Sequence, residues 1–398
     1  KHLPMVVMTA LVDGGGRYDP IGKEGVASLT AALLTEGTKG RKSEAIHDAI
    51  DFLGAQLSAG AADDYASVTL TVLKKDLDAA ADLWAAVTRE PTFPKEEFER
   101  KRDETLAELE DEDQNPGAVA GRAFRRALYR NGAYRTPVSG DKESIRKLQL
   151  ADVKSHYESV YRPERTIIVA SGDVTLAEIR ALVEKRLGDW KGKGEAAKSI
   201  ESAPATEPQV VRIERDLQQA NVVWGHAGTT RDDPEWYALS VMSYILGAGG
   251  FESRLMRSIR TDAGLAYSVH SYFTGPKLPG ALQVVLQTKN STAKEAIERL
   301  EQEIQRIREE PVSDEELEGA KLFLTGSFPL RFDSNAELVA FYSQVRFFNL
   351  GLDYPARYPG IIEAITKEDV QRVARKYLHP DKAILIVVGR QSEIELPK

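Results

Sequence analysis

The sequence has 398 residues, enough for two domains of about 200 residues, and its 42% hydrophobic and 29% charged residues are usual for globular proteins. A net charge of −8 leaves no surplus of lysine and arginine to neutralise phosphates, which argues against a nucleic-acid binder. The absence of cysteine excludes disulfides, thiolate metal sites and cysteine nucleophiles, and no apolar run approaches the length of a membrane span, about 18 residues.

The sequence begins at Lys1 without an initiator methionine, and residues 4–12 already have the composition of a strand. We therefore expect a processed or trimmed start, which is compatible with the loss of a signal peptide. The periplasm is the expected location, with the cytoplasm as the alternative.

The predicted elements follow one another in the same order in both halves of the sequence. A buried strand leads into an apolar helix, a β-rich stretch and a long charged helix follow, and an amphipathic helix and an Ile/Val-rich strand close each half. The first four elements lie at 5–12, 26–34, 65–73 and 95–113 in the first half, and at 220–227, 237–246, 281–287 and 314–324 in the second. Strands joined both by helices and by turns favour an α+β fold over a doubly wound sheet.

Matches between the two halves indicate an internal duplication. Segments 14–20, 91–101 and 152–172 match 228–234, 311–321 and 369–389, in the same order and at nearly constant spacing, and the last pair aligns without a gap. We therefore predict two homologous α/β sandwich domains, an N-terminal one at 1–192 and a C-terminal one at 209–398, joined by a polar linker at 193–208.

The first predicted helix carries a family resemblance. Residues 25–38 resemble the metal-binding helix of the pitrilysin and mitochondrial processing peptidase family, the insulinase-like zinc metallopeptidases. In that family the stretch reads Gly-x-Ala-His-x-x-Glu-His, then four residues and Gly-Thr. Gly25, Ala27, Gly37 and Thr38 agree with this pattern, and the resemblance extends over both halves. It implies a half of the family's clam shell, built from two homologous domains.

The resemblance fails at the metal ligands. The two histidine positions hold Ser28 and Ala32, the position of the general base holds Ala31, and Glu108 stands where the family has its third ligand. One carboxylate cannot bind a zinc ion that needs three protein ligands and a water. None of the six histidines stands three or four residues from another, so no helix-borne pair replaces the lost one. We expect no metal in this chain. The alternative interpretation of Glu108 is that it is an ordinary exposed residue of a helix.

A second family feature is complete. The family has an arginine and a tyrosine seven residues apart around a Gly-Leu-x-Tyr turn, and Arg260 and Tyr267 stand at these positions. The resemblance implies that they stabilise the negative charge that develops on a peptide carbonyl during hydrolysis, for which guanidinium and phenol donors are suited. The alternative is structural, with Arg260 paired to Asp262 and Tyr267 packed in the core.

A glycine-rich run precedes this pair. Gly247, Gly249 and Gly250 match a loop that contacts substrate in some relatives, so the resemblance implies a substrate-binding loop here. Close packing of a helix explains the same glycines equally well.

The two half-sites imply a partner. The sequence resembles the zinc-less subunit of the family's heterodimers, inactive alone, with zinc in the homologous partner and half of a chamber for unfolded peptides in each subunit. No nucleic acid is expected among its partners, and no membrane span is expected in the chain. The alternative is a purely structural subunit of a larger complex, like the family's respiratory core proteins.

Overall fold

A computed structural model describes residues 4–397 of the chain; Lys1, on which the expectation of a processed start depends, lies outside them. The described strands are β1 (Met5–Val12), β2 (Gly37–Thr38), β3 (Arg41–Lys42), β4 (Gln56–Ala61), β5 (Ala66–Leu73), β6 (Tyr129–Gly132), β7 (Thr166–Gly172), β8 (Ser202–Pro204), β9 (Gln209–Glu214), β10 (Gln219–Ala227), β11 (Ala266–Phe273), β12 (Ala281–Lys289) and β13 (Ile384–Gly389). The predicted strands at 5–12, 65–73, 220–227 and 281–287 correspond to β1, β5, β10 and β12.

The α-helices of the described residues include those predicted at 26–34, 95–113, 237–246 and 314–324, and the bounds agree to within a few residues. They are α1 (Val26–Leu33), α2 (Ser43–Phe52), α3 (Leu77–Arg89), α4 (Lys95–Glu112), α5 (Pro116–Leu128), α6 (Lys142–Lys147), α7 (Leu150–Val160), α8 (Leu176–Leu187), α9 (Trp236–Ser243), α10 (Ala293–Glu309), α11 (Asp314–Gly326), α12 (Asn335–Phe347), α13 (Tyr354–Glu363) and α14 (Lys367–Tyr377). None of them is long and apolar enough to span a membrane. The helix predicted at 237–246 leaves α-geometry after Ser243 and continues as a π-helical turn, Tyr244–Ala248.

The two main sheets share one strand order. The first is antiparallel throughout, in the order β4-β5-β1-β7, and the second has the order β11-β12-β10-β13-β9. Strands from matching places in the two halves take matching places in the sheets, and β9 adds an edge strand parallel to β13. The α+β fold with an internal duplication is therefore confirmed.

Each sheet belongs to one compact unit of the chain. The first unit contains the residues up to Glu110, Gly132–Glu201 and Leu330–Leu352; the second contains Asp111–Asn131, Ser202–Pro329 and the residues from Asp353 onward. The predicted boundaries 1–192, 193–208 and 209–398 follow the repeat, whereas the compact units also take in one helix each from the other half of the sequence.

The helices α5 and α12 account for this difference. Strands β1 and β10 are almost entirely buried, so both faces of each sheet need cover. In the first unit α12 packs against β7 and β1, and in the second unit α5 packs against β13 and β10. The fit of α5 is close, because a side chain at Gly225 of β10 would lie 2.8 Å from the Phe124 ring. Each sheet is thus completed by a helix from the other half of the sequence.

Candidate functional site

The start of α1 explains two of the family residues that the chain keeps. The buried carboxylate of Asp19 accepts hydrogen bonds from the backbone N–H groups of Gly25 (2.7 Å) and Ala27 (2.9 Å), and burial raises its pKa well above the ordinary value. Gly25 has φ 97°, and a side chain there would meet Ile145 at 2.5 Å. These residues therefore build the helix start whether or not a metal follows.

The positions of the family's metal site lack donors. Ser28 and Ala32 lie one turn apart on α1 and are half-buried, while Ala31 is fully buried. A hydroxymethyl and a methyl group cannot replace two imidazoles, so this donor set does not fit zinc. Glu108 is exposed on α4 and has no ion pair or side-chain hydrogen bond within the described chain. Across residues 4–397 no cluster of three His, Asp or Glu residues could hold a metal ion.

Sequence analysis missed the carboxylate that does join α1 to α4. Glu36, three residues beyond α1, is 4% exposed and accepts hydrogen bonds from the Ser43 hydroxyl (2.6 Å) and the Arg100 guanidinium (3.0 Å). Lys101 Nζ lies 3.6 Å from its other oxygen. Two cations from α4 thus balance the one buried carboxylate near the end of α1, which gives it a structural role.

Arg260 and Tyr267 lie together in the second unit. Arg260 belongs to a π-helical turn, Met256–Asp262, and Tyr267 belongs to β11. Gly264 connects them with φ 64°, and its N–H donates to the Arg260 carbonyl (3.0 Å). The Arg260 guanidinium carbon lies 4.6 Å from the centre of the Tyr267 ring. The two side chains therefore converge across the glycine turn.

A β-bulge turns Tyr267 toward solvent. Ala266 pairs with Thr288, but Val269 pairs with Leu286, so β11 has one extra residue here. Side chains alternate along a regular strand, so Tyr267 would share the buried face of Val269 if β11 had no bulge between them. Instead Tyr267 is 81% exposed. The alternative in which Tyr267 packs in the core does not apply.

Phe251 is a third member of this group, and sequence analysis missed it. Its ring, 64% exposed, lies 4.7 Å from the Arg260 guanidinium carbon, so Arg260 contacts the aromatic rings of Phe251 and Tyr267. Within residues 4–397 Arg260 makes no ion pair, so the alternative pairing with Asp262 is not found. These ring contacts do not occupy the N–H groups of Arg260 as an ion pair would, and no carboxylate of the described residues neutralises its charge. The only signal in the sequence was an aromatic residue directly after a glycine run.

The three glycines occupy different environments. A side chain at Gly247 would lie 2.6 Å from the Ser271 hydroxyl of β11, and one at Gly249 would lie 2.8 Å from the Tyr244 carbonyl. Close packing thus requires both. Gly250 has φ 60° with open space around it, and Phe251 follows directly. These contacts place the glycine run against the strand that carries Tyr267.

Arg254, unlike Arg260, is paired with a carboxylate. It is buried and donates two hydrogen bonds, of 2.6 and 2.8 Å, to the carboxylate of Glu316 on α11. Burial opposes ionisation of Glu316, but the bonds from Arg254 and from the Ser313 backbone N–H outweigh it and lower its pKa to about 2. This pair fixes the segment between the glycine run and Arg260 to α11.

His156 and His226 are both buried, and both ring nitrogens of His226 have backbone partners. The Nδ1–H of His226 donates to the Ala227 carbonyl (2.8 Å), and its Nε2 accepts from the His379 backbone N–H (3.0 Å). Neither ring nitrogen is therefore free for a metal. Burial lowers the pKa of His226 to about 4 and the pKa of His156 to about 4.

We expect these two histidines to destabilise the protein in acid. The folded state favours the neutral form of both imidazoles. Their effect on the free energy of unfolding is therefore most favourable above the unfolded pKa of about 6.5, and it is lost as the pH falls toward 4. Each histidine should lower the free energy of unfolding by about 3 kcal/mol over this range. Urea unfolding at several pH values measures this change. A proton NMR titration is the control: two imidazoles should still be neutral at about pH 5, and titration of both near 6.5 would contradict the expectation.

Two family models match this chain. The family model described as "Insulinase (Peptidase family M16)" matches residues 4–142, and the one described as "Peptidase M16 inactive domain" matches residues 147–324. The non-peptidase homolog YmxG of Helicobacter pylori is 29% identical over 353 residues, which cover 88% of this chain and 80% of that protein.

One solved structure and one mitochondrial protein extend the comparison. A structure described as a peptidase M16 inactive domain from Pseudomonas fluorescens has a TM-score of 0.92 at 29% identity, covering 100% of this chain and 95% of that chain. Cytochrome b-c1 complex subunit 1 of Bos taurus is 24% identical over 246 residues, which cover 61% of this chain and 51% of that protein.

Proposed function

The chain belongs to the insulinase-like peptidase family M16 and is one of its zinc-less members, and from this we propose that it is the non-catalytic subunit of a heterodimeric zinc metallopeptidase. Its homologous partner would carry the zinc ion. This chain would complete the partner's active site with Arg260 and Tyr267 and would provide half of a chamber for unfolded peptides.

The observation that carries the proposal is the state of Arg260. Its guanidinium contacts two exposed aromatic rings and has no carboxylate partner within the described residues. A purely structural arginine is expected to resemble Arg254, which is buried and paired with Glu316. Arg260 is half-buried, and a cation that is held in place but not neutralised is suited to an anionic or polarised oxygen from outside the chain.

The chemistry follows from the donors. As water adds to a peptide carbonyl, negative charge develops on the oxygen, and donors fixed beforehand stabilise the transition state more than the substrate. Arg260 would donate in-plane N–H groups and Tyr267 its hydroxyl. The substrate would bind in extended form and pair its backbone with an exposed strand edge. In the second sheet, β11 is the outer strand that carries Tyr267.

Reconstitution tests the proposal. The chain should be mixed with the family member from its own organism that carries His-x-x-Glu-His, and cleavage of a quenched fluorescent peptide should be followed. The mixture should cleave the peptide, while this chain alone should not. Metal analysis should find zinc in the partner only. Cleavage by this purified chain alone, or stoichiometric zinc in it, would disprove the assignment of roles.

A structural subunit is the second candidate. The similarity to a bovine cytochrome b-c1 complex subunit favours it, since that relative is by its name one subunit of a mitochondrial complex. The same mixture separates the two functions. A stable complex with no peptidase activity beyond that of the zinc-bearing chain alone would favour the structural role.

A further inference from the structure

Helix α11 of the second unit exposes two large apolar side chains next to each other. Leu322 is 74% exposed and Phe323 is 53% exposed. The ring of Tyr244, in the π-helical turn Tyr244–Ala248, lies 4.8 Å from the ring of Phe323, centre to centre. Single exposed apolar residues are normal on a protein surface, whereas a contiguous group of them marks a contact site. We call these three residues the Phe323 patch.

The Phe323 patch adjoins the candidate site. A β-carbon added at Gly249 would lie 2.9 Å from the ring of Tyr244, so the glycine run lies directly against that ring. Phe251 follows two residues later and contacts the guanidinium group of Arg260. A short series of contacts within the second unit therefore joins the patch to Arg260.

The same π-helical turn covers one face of the outer strand β11. A β-carbon added at Gly247 would meet the hydroxyl of Ser271, so the turn packs on the buried face of β11, which also holds Val269. A peptide paired with the outer edge of β11 would direct alternate side chains toward that face of the sheet. Every second side chain of the peptide would thus point to the side on which the patch lies.

The first half of the sequence provides an internal comparison. In the match between segments 91–101 and 311–321, Phe98 of α4 corresponds to Leu317 of α11, and both are buried. Continuing this alignment along the two helices places Asp103 and Glu104 at the positions of the two patch residues of α11. Both carboxylates are exposed. One copy of the fold therefore has charged groups at these positions, so the fold itself does not require apolar ones.

The size of the Phe323 patch indicates what occupies it. A stable interface between folded proteins takes about 20–30 residues from each side, whereas this patch consists of three. Glu318, one turn before Leu322 on α11, is exposed and charged, so the apolar surface does not continue along the helix. One apolar side chain is enough to cover such a patch, and an extended peptide presents side chains singly.

We propose that the Phe323 patch is a subsite for a large aliphatic or aromatic side chain of the peptide substrate. This inference rests on the proposed peptide-binding function and adds selectivity to it. The peptide pairs with the edge of β11, Arg260 and Tyr267 meet the carbonyl oxygen, and one apolar side chain of the peptide is buried on the patch. A peptide with a charged residue at that position lacks this burial.

Fluorescence anisotropy with the full-length chain alone tests this inference. Labelled peptides of serine and threonine that differ in one central residue are titrated with the chain. Peptides with leucine or phenylalanine should bind about 10-fold more tightly than the serine peptide, as expected for partial burial of one large apolar side chain. The aspartate peptide should bind no more tightly than the serine peptide. Added salt should not reduce the preference for leucine, because burial rather than charge causes it.

Variants of exposed residues assign the preference to the patch. Phe323→Ser should bind the leucine and serine peptides alike and should fold normally, because more than half of the ring is exposed. Phe323→Leu should keep most of the preference, since it keeps an apolar side chain. Leu176→Ser is the matched control: Leu176 is as exposed as Leu322 but lies on α8 of the first unit, so its removal should change nothing.

Three results would overturn the inference: no binding of the leucine peptide, equal binding of the leucine and serine peptides by the wild-type chain, or an unchanged preference in Phe323→Ser. Loss of the complex with the zinc-bearing partner in Phe323→Ser would also overturn it, because the patch would then be a contact between subunits. None of these measurements requires cleavage. A mixture that cleaves no peptide would contradict the proposed heterodimer, whereas cleavage together with an unchanged preference in Phe323→Ser would remove the subsite alone.

Discussion

Arg260→Ala in the reconstituted heterodimer is expected to lower kcat/KM for peptide cleavage by about 10²–10³-fold, the usual effect of removing one oxyanion donor. Most of the loss should be in kcat, because the donor acts on charge that exists only in the transition state. The aromatic rings that hold Arg260 remain in the variant, so the fold and the complex should be unaffected. Steady-state kinetics with complex formation measured in parallel is the test.

Arg257→Ala is the matched control. Arg257 lies in the same π-helical turn but is exposed and 3.8 Å from Glu252, so its removal should leave kcat/KM within about twofold. Arg260→Lys should recover only part of the activity, since an ammonium lacks the planar donor geometry of guanidinium. Full activity of Arg260→Ala together with Tyr267→Phe would remove the catalytic contribution and leave the structural role.

Phe124→Ala is expected to lower the free energy of unfolding by about 3–5 kcal/mol, the cost of a large cavity in a core. Phe124 is fully buried, and α5 packs on β13 and β10 of the second unit. Hydrogen exchange should therefore show the largest loss of protection in these two strands, although Phe124 lies in the first half of the sequence.

Gly121→Ala is the control on the same helix. Apart from the neighbouring backbone of α5, no atom lies within 4 Å of a β-carbon added there, and alanine is the better helix former, so this change should stabilise by about 0.5–1 kcal/mol. If Phe124→Ala instead exposed the amides of β1 and β5 and left β10 and β13 protected, the assignment of α5 to the second unit would be wrong.

The sequence predicted some residues of the site and missed others. The absence of donors at Ser28 and Ala32 needs no coordinates, because an alanine cannot bind zinc in any conformation. The pairing of Arg260 with Tyr267 could be expected, since one glycine turn separates a helix end from a strand. The structure was needed to show that Arg260 has no carboxylate partner between residues 4 and 397 and that its second aromatic contact is Phe251, nine residues away along the chain.

The sequence by itself determined the duplication, the order of strands and helices and the loss of the metal ligands, because each is a pattern along the chain. The tertiary structure decided what depends on partners distant in sequence. The exposure of Tyr267 follows from the register of β11 against β12, where one extra residue reverses the face of the strand. The exchange of α5 and α12 follows from the need to cover both faces of each sheet, and periodicity shows that a helix has an apolar face but not which sheet that face will meet.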